Sequence, residues 1–380
     1  MTQVEIIEEE PLVEKPVLHM VAPFHTIVSH EFSHCAFTGK VHRFSKMMRM
    51  YGYHVVEYSN GESESEASEK VSLLSKEKLL ELRTKKKEDE FVGNDAVIGS
   101  PIWQEFNKLL LMEMLKRVKQ GDIICYPFGN THPALATIFQ HGVYHVESGI
   151  GYPGVFLDMR IYESSAWMHW HFGKENNSNG KNYQWVVPNY YDKEDWDVNL
   201  HPQDYVLYFG RITPEKGMNT IVEIAKRINK KVILCGQGDP TDYLDKCANI
   251  EYKPPIHGRA RSELLGNAYC VLMPTTFIEP FGGAGVEAQM CGTPLIASNY
   301  GAFRETVIEG VTGFRCNTLG DWLDAIERVG SLDRQKVADI ARSTYSLEAC
   351  GKLYDKIFMD IANLGDKGWY NEKSFKHYDK

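Results

Sequence analysis

Short apolar runs alternate with longer amphipathic segments along most of the chain. The runs at residues 205–209 (YVLYF), 231–235 (KVILC) and 269–273 (YCVLM) have the length of strands and are followed by glycine or proline. Residues 218–229 lie between the first two runs and carry apolar side chains at helical spacing. Because the strands are apolar throughout, the pattern predicts parallel sheets that helices cover on both faces.

The same alternation is present in the first half of the chain. A strand at residues 17–24 (VLHMVAPF) is followed by a helix at 41–50 and a strand at 54–58, which is the order of a βαβ unit. Residues 160–170 have helical spacing and are predicted as a helix. Further elements are predicted as a helix at 103–119 and strands at 122–126, 143–147 and 185–187.

Two such halves predict an α/β fold with two Rossmann-like domains whose parallel sheets face a central cleft. We assign residues 17–190 to the first domain and residues 191–345 to the second. Residues 1–16 are an acidic arm, and residues 346–380 are a C-terminal helix and tail whose return to the first domain stays open. Because parallel sheets bind ligands at the carboxyl ends of their strands, the cleft is the expected site.

One segment departs from the pattern, at about residues 60–95. It starts with the polar stretch NGESESEASEK, which is typical of a loose connection, and has leucines at helical spacing over residues 71–82. We predict an insertion with one surface helix, after which the lysines at 85–87 form a solvated face.

Composition narrows the class of protein. The chain has 380 residues, 43% hydrophobic residues, a net charge of −9 and a pI of about 5.9, which argues against broad adhesion to nucleic acid. Its eight cysteines include no C-x-x-C pair, the acidic N-terminus is unlike a signal peptide, and no apolar run reaches about 18 residues. We therefore expect a cytoplasmic protein without a membrane span.

The most informative stretch is residues 275–292, TTFIEPFGGAGVEAQMCG. Pro280 suits the first turn of a helix, and the glycines at 282, 283 and 285 leave backbone N–H groups bare where the helix begins, which favours a phosphate site. Glu279 and Glu287 bracket this turn. Eight helical steps separate them by about 12 Å, whereas the carboxylates of a glycosidase lie about 5–10 Å apart.

Two interpretations of these glutamates remain. They can contact the two ends of one long anionic ligand, such as a nucleotide sugar, whose phosphates lie on the glycines. Alternatively, Glu279 caps the helix and Glu287 is an ordinary surface residue.

Arg211 and Lys216 stand in FGRITPEKG, directly after a predicted strand. Each would contribute about 1.5–3 kcal/mol if it bonded a phosphate, and little if it were only solvated.

Taken in order, the motifs are more specific than any of them alone. They read GRITPEKG, GQGD, HGRARSELLGNA, E-x7-E with Phe-Gly, and GTPLIASNYGAFRETVIEGVTGF. This order resembles the retaining glycosyltransferases of family 4, which have the two-domain GT-B fold. The resemblance is close over residues 185–316, loose over residues 17–185 and absent over residues 60–90.

The resemblance implies a nucleoside diphosphate sugar as the donor substrate, no cofactor and no metal. Arg211, Lys216 and Glu279 are the catalytic residues that it implies, with the two cations on the diphosphate and Glu279 facing the sugar. Glu287 would accept from the ribose hydroxyls. The other donor-binding residues that it implies are Phe281, Gly282 and Gly283, through backbone N–H groups, and Gly39, in the first β–α loop of the other domain.

The sequence departs from the family at two places. Residues 253–256 (KPPI) replace a glycine before the base-binding loop, which leaves the nucleobase open. Many members carry a histidine near the sugar, where this chain has Glu147 or Ser148. His132 is a further candidate for the acceptor and sugar side, although packing is the commoner use of a single histidine.

Two alternatives belong to other functional classes. His30-Glu31-Phe32-Ser33-His34 matches the H-E-x-x-H pattern of zinc-dependent hydrolases, but the pattern lacks its usual extension and stands in a predicted loop. In the second alternative, the chain is a nucleotide-sugar-binding protein that has lost catalysis. We predict a metal-independent, retaining hexosyl- or pentosyltransferase whose acceptor is a glycan, a lipid carrier or a modified nucleobase in DNA.

Overall fold

The computed structural model describes residues 14–29, 35–83, 97–129 and 131–364. It confirms the predicted α/β class, with two separate parallel sheets. The strands are β1 (Leu18–Val21), β2 (Val55–Ser59), β3 (Glu69–Ser72), β4 (Ile123–Tyr126), β5 (Tyr144–Ile150), β6 (Met159–Tyr162), β7 (Gln184–Val186), β8 (Tyr205–Phe209), β9 (Lys231–Cys235), β10 (Ile250–Lys253), β11 (Cys270–Met273), β12 (Leu295–Ser298) and β13 (Gly313–Cys316).

Helices connect the strands and lie outside the sheets. They are α1 (Ala36–Met50), α2 (Lys76–Leu82), α3 (Pro101–Met114), α4 (Pro133–Ile138), α5 (Ser165–Lys174), α6 (Met218–Ala225), α7 (Thr241–Leu244), α8 (Gly258–Asn267), α9 (Gly283–Met290), α10 (Phe303–Thr306), α11 (Leu319–Arg328), α12 (Arg334–Tyr345) and α13 (Leu347–Ala362). None of these described helices is long and apolar enough to cross a membrane.

Both sheets follow the doubly wound strand order. The first runs β3-β2-β1-β4-β5-β6-β7 and the second runs β10-β9-β8-β11-β12-β13. In each sheet the order reverses once, between β1 and β4 and between β8 and β11. Ligands of such sheets bind beside this reversal, at the carboxyl ends of the strands, because the following loops diverge there and leave a crevice.

The C-terminal helix α13 completes the core of the first domain. Its buried Tyr354 and Phe358 pack against Phe44 of α1, with ring centroids 5.6 Å and 6.2 Å away. The hydroxyl of Tyr51 also donates to the carbonyl of Glu348 at 2.6 Å. The chain therefore crosses from the first domain to the second and back.

The two crossings are hydrogen-bonded to each other. The amide of Tyr191 donates to the carbonyl of Tyr345 at 2.8 Å, and the amide of Leu347 donates to the carbonyl of Tyr191 at 3.1 Å. Any change in the angle between the domains must therefore bend these two paired segments together.

The structure corrects three secondary-structure predictions. Residues 69–72, predicted as part of a loose insertion and a helix, form the edge strand β3, which pairs with β2 and buries Val71. Residues 159–162 form β6 instead of a helix, because hydrogen bonds to β5 and β7 on either side override the local spacing. Helix α1 begins five residues earlier than predicted, so Gly39 lies in its first turn and not in a loop.

Other predictions cannot be compared with the structure. The HEFSH motif at residues 30–34, the lysines at 85–87 and the aromatic tail after residue 364 lie outside the described residues. All eight cysteines lie within them and are free thiols.

Candidate functional site

A cleft of about 870 Å³ opens between the carboxyl ends of the two sheets. Its first-domain wall includes Gly39, Lys40 and Arg43 of α1. Its second-domain wall is formed by the loop after β8, the loop after β11 and the start of α9, and includes Arg211 and Glu279. The cleft therefore lies at the carboxyl ends of both sheets, where the sequence analysis expected it.

Lys216, which is not itself among the residues that line the cleft, forms an ion pair with Glu279, which is. Lys216 Nζ lies 2.8 Å from Glu279 Oε2, and each side chain is only 12% exposed. The ammonium also lies 4.7 Å from the ring centroid of Phe277. Lys216 ends a one-turn helix that stops at Gly217, where φ is +80° and a Cβ would lie 1.9 Å from the carbonyl oxygen of Pro274. Only glycine allows the lysine loop to approach the end of β11 this closely.

The glycines after Glu279 form the start of α9. The helix begins at Gly283, so the prediction that Pro280 lies in its first turn is wrong, and Pro280 lies in the preceding loop. Its N-cap is Gly282, whose φ of +80° and contact with the Phe303 ring leave no room for a Cβ. Helix geometry leaves the amides of Gly283 and Ala284 without an acceptor inside the helix. These N–H groups and the positive end of the helix dipole suit an anion.

Glu287 is held by a cation that the sequence analysis did not single out. The carboxylate is 8% exposed and accepts a hydrogen bond from the guanidinium of Arg261. That guanidinium lies 4.7 Å from the ring centroid of Phe209, the last residue of β8. Arg261 stands in the quoted motif HGRARSELLGNA, but no spacing rule connects it to Glu287.

Arg211 is exposed and lines the cleft beside Glu279. The hydroxyl of Tyr208 donates to its backbone carbonyl and fixes the loop after β8. Burial raises the pKa of Tyr208, and the nearby Glu279 carboxylate raises it further, so the hydroxyl keeps its proton and donates.

The first-domain wall contains a second ion pair that the sequence analysis missed. Lys40 Nζ donates to Glu163 and to the carbonyl oxygen of Gly149, and the two charged side chains are 4% and 7% exposed. Lys40 directly follows Gly39, which the sequence analysis named as a site residue. Its partner Glu163 lies 123 residues further along the chain, so no local pattern connects the two. Gly39 lines the cleft one residue before this lysine.

The candidates for the acceptor side do not line the cleft with the other site residues. His132 is buried, its Nδ1 lies 2.7 Å from Asn107 Oδ1, and burial lowers its pKa to about 3. Glu147 accepts the amides of Phe156 and Leu157, each at 2.9 Å. Ser148 is 2% exposed within β5. The structure therefore places all three in the interior of the first domain.

Burial also sets the protonation of Glu147. Its removal from water raises its pKa to about 7, although the two amide hydrogen bonds oppose this shift.

In the part of the chain that the structure describes, no group of three His, Cys, Asp or Glu side chains could hold a metal ion. The His30-Glu31-His34 motif lies outside that part.

This geometry can be compared with known proteins. Residues 192–342 match the family model of glycosyl transferases group 1. The match covers the second-domain wall of the cleft, from residue 192, next to the chain crossing at Tyr191, into α12, but less than half of the chain.

Curated relatives match over similar segments. The chain is 31% identical over 119 residues to an uncharacterized glycosyltransferase of Methanocaldococcus jannaschii, over 28% of this chain and 30% of that protein. It is 34% identical over 119 residues to the 2-deoxystreptamine N-acetyl-D-glucosaminyltransferase of Niallia circulans, again over 28% and 30%. The chain thus spans about a third of the length of these relatives.

Solved structures match over nearly the whole chain. The sucrose-phosphate synthase of Thermosynechococcus elongatus has a TM-score of 0.65 at 15% identity, over 91% of this chain and 99% of that one. Anabaena HepE, solved with UDP and glucose, has a TM-score of 0.61 at 13% identity, over 91% and 100%. At such low identity these likenesses show the fold, which is GT-B, as predicted.

Proposed function

We propose that this protein is a retaining glycosyltransferase that moves a sugar from a nucleoside diphosphate sugar to an acceptor without a metal ion. The observation that carries the proposal is the Lys216–Glu279 pair beside the start of α9, whose glutamate lines the cleft between the two domains. The group 1 glycosyl transferase match over residues 192–342 and the names of the relatives support the transfer of sugars.

The donor diphosphate binds where cations and backbone amides converge. Arg211 and Lys216 lie on the loop after β8, and the amides of Gly283 and Ala284 open α9 on the other side of the strand-order reversal. Negative charge develops on the leaving phosphate as the sugar bond breaks. Because the fold already holds these groups in place, they stabilise that charge without the reorganisation that water would need.

The two glutamates contact opposite ends of the donor. Glu279 precedes the glycine turn and faces the sugar, while Glu287 lies within α9 and accepts from the ribose hydroxyls. The bond from the anomeric carbon to the phosphate oxygen breaks, and the acceptor oxygen attacks from the same face. The acceptor proton passes to the departing phosphate, so the configuration is retained and no separate base is required.

The acceptor enters from the first domain, whose wall carries the Lys40–Glu163 pair and also Gly39, which approaches the donor diphosphate from this side. A glycan, a lipid carrier and a modified nucleobase all remain candidates for it. We propose a cytoplasmic location on the basis of the eight free thiols.

The test is donor turnover in the purified full chain. UDP-glucose, GDP-mannose and ADP-glucose are each incubated with a panel of sugar acceptors, with and without EDTA, and the anomeric configuration of any product is read by NMR. We expect one donor to be consumed at the same rate with EDTA and to give a product of the donor's own configuration. An inverted product, or a rate that collapses with EDTA and returns with a divalent metal, would contradict the proposal.

A further inference from the structure

A contact crosses between the domains beside the donor loop. Glu305 of α10, in the second domain, accepts two hydrogen bonds from the start of α5, in the first domain. The amide of Ser165 donates to Oε2 at 2.8 Å, and the amide of Ala166 donates to Oε1 at 2.8 Å. Both amides belong to the first turn of a helix, where they have no acceptor inside the helix and where a negative charge is favoured.

Ser164 makes the neighbouring contact. Its hydroxyl oxygen accepts from the amide of Trp167 at 3.1 Å and so caps α5. The same hydroxyl donates to the carbonyl of Pro280 at 2.6 Å, across the cleft. Pro280 directly follows Glu279 and lies on the wall of the cleft. The cap of a first-domain helix is therefore bonded to the loop that carries the proposed catalytic glutamate.

Each side of this contact connects to a residue of the site. In the second domain, the amide of Ala302, three residues before Glu305, donates to the carbonyl of Glu279 at 3.1 Å. In the first domain, Glu163 precedes Ser164 and bonds Lys40, which lines the cleft. Hydrogen bonds and short stretches of chain thus join the two walls.

We infer that Glu305 is a positioning residue that holds the two domains in register through the start of α5. We call the contacts of Glu305 with Ser165 and Ala166, and of Ser164 with Pro280, the interdomain latch. This inference rests on the proposed function, because the loop that the latch aligns is the proposed donor loop. Glu305 itself need not touch the donor or the acceptor.

The physical character of the contact suits a latch that opens. The two hydrogen bonds to the Glu305 carboxylate are charge-assisted, so each is stronger than a hydrogen bond between neutral groups. They are also few, and Glu305 is exposed, so water can replace them when the cleft widens to exchange donor for product. The paired crossings at Tyr191 and Leu347 are fixed by chain continuity, so opening breaks the latch before it disrupts the crossings.

The test compares Glu305→Ala with Glu305→Gln and with a matched control, Glu327→Ala. Glu327 is an exposed carboxylate of α11 in the same domain. Because Glu305 is exposed, we expect its variants to fold, and circular dichroism is used to check that they do. The measurements are amide hydrogen exchange of the first turn of α5, the radius of gyration from small-angle X-ray scattering, and steady-state kinetics with the donor identified by turnover.

For Glu305→Ala we expect exchange at Ser165 and Ala166 to rise about tenfold, because the amides lose their acceptor. We expect a larger radius of gyration and a kcat lower by about 10- to 100-fold, since misalignment of the walls slows the chemical step. Affinity for the free nucleoside diphosphate should stay close to that of the wild type, because Arg211, Lys216 and the start of α9 all lie in the second domain. Glu305→Gln keeps a carbonyl acceptor, so its exchange, radius of gyration and kcat should lie between those of the wild type and Glu305→Ala. Glu327→Ala should match the wild type.

Two results would overturn the inference. One is unchanged exchange and an unchanged radius of gyration in Glu305→Ala. The other is a clear rise in exchange with kcat unaltered, which would make the contact a helix cap without a positioning role. If the wild type turns over no donor, the proposed function fails. In that case exchange and scattering still decide whether Glu305 holds the domains together.

Discussion

Lys216 Nζ lies 2.8 Å from Glu279 Oε2, and the two residues reach this contact from loops that follow neighbouring strands of the second sheet. Those strands, β8 and β11, flank the reversal of strand order. The pair therefore lies where a doubly wound sheet binds its ligands. It also holds the lysine ammonium, which has further N–H groups that can donate.

Glu279→Gln tests the catalytic role of the glutamate. The amide keeps the shape of the side chain and an acceptor for Lys216 but removes the charge that we place beside the sugar. We expect kcat to fall about 100-fold, in the range found when one group that stabilises a transition state is removed. Steady-state kinetics measures this, with Glu223→Gln, an exposed glutamate of α6, as the control. Near-normal activity in Glu279→Gln would show that the role is wrongly assigned.

The Arg261–Glu287 pair should be energetically coupled. Arg261→Ala leaves a largely buried carboxylate without its partner, and because the two side chains are 21% and 10% exposed we expect a loss of about 1–3 kcal/mol in the free energy of unfolding. Adding Glu287→Gln should recover part of this loss, with a coupling energy of about 1 kcal/mol or more. Urea unfolding of the four proteins in this cycle measures the coupling. Strictly additive losses would mean that the pair contributes no interaction energy.

Lys40→Met should be more costly than a lysine substitution on the exposed side of the same helix. It leaves Glu163 buried with its main cation gone, so we expect a loss of about 3–5 kcal/mol in the free energy of unfolding. Lys46→Met, at a pair whose lysine is 33% exposed, should cost about 1 kcal/mol or less. Denaturant unfolding compares them. Equal losses would argue against a special role for the buried pair, whereas partial recovery in Lys40→Met with Glu163→Gln would support it.

Glu147 should make stability depend on pH. Its folded-state pKa of about 7 lies above its unfolded value, so the folded state holds the proton more tightly. Its contribution is therefore full below about pH 4 and is lost as the pH rises through 7, a change of about 3 kcal/mol. Glu147→Gln removes this dependence and keeps an acceptor for the amides of Phe156 and Leu157. Urea unfolding at pH 4.5 and pH 7.5 tests it, and parallel pH profiles for the two proteins would contradict it.

The sequence was most informative where a strand is buried on both faces. The runs predicted at β8 and β9 match the observed bounds and the run at β11 differs by one residue, because strands covered on both faces are apolar at nearly every position. It failed at β3, an edge strand that buries one side chain, and at β6, whose strand state depends on partners on both sides. In both cases pairing with distant strands decides the conformation, and the local spacing of apolar residues does not reveal that pairing.

A similar division holds for the site. Glu279, Glu287 and the glycines between them are neighbours in sequence, so one stretch reveals them together. Their ion-pair partners Lys216 and Arg261 come from segments 63 and 26 residues away, and the contact of Glu305 with Ser165 spans 140 residues. Such contacts leave no periodic signal along the chain. Only the fold brings these charges together.

The most direct test of the donor site is calorimetric titration of UDP, GDP and ADP into the wild type and Lys216→Ala, in EDTA. Lys226→Ala, an exposed lysine of the second domain paired with Glu223, is the control. We expect one nucleotide to bind the wild type and the control equally, and Lys216→Ala to bind it about 10- to 100-fold more weakly, as the loss of a charge-assisted bond to phosphate implies. No binding of any nucleotide to the wild type, or equal affinity in Lys216→Ala, would contradict the account.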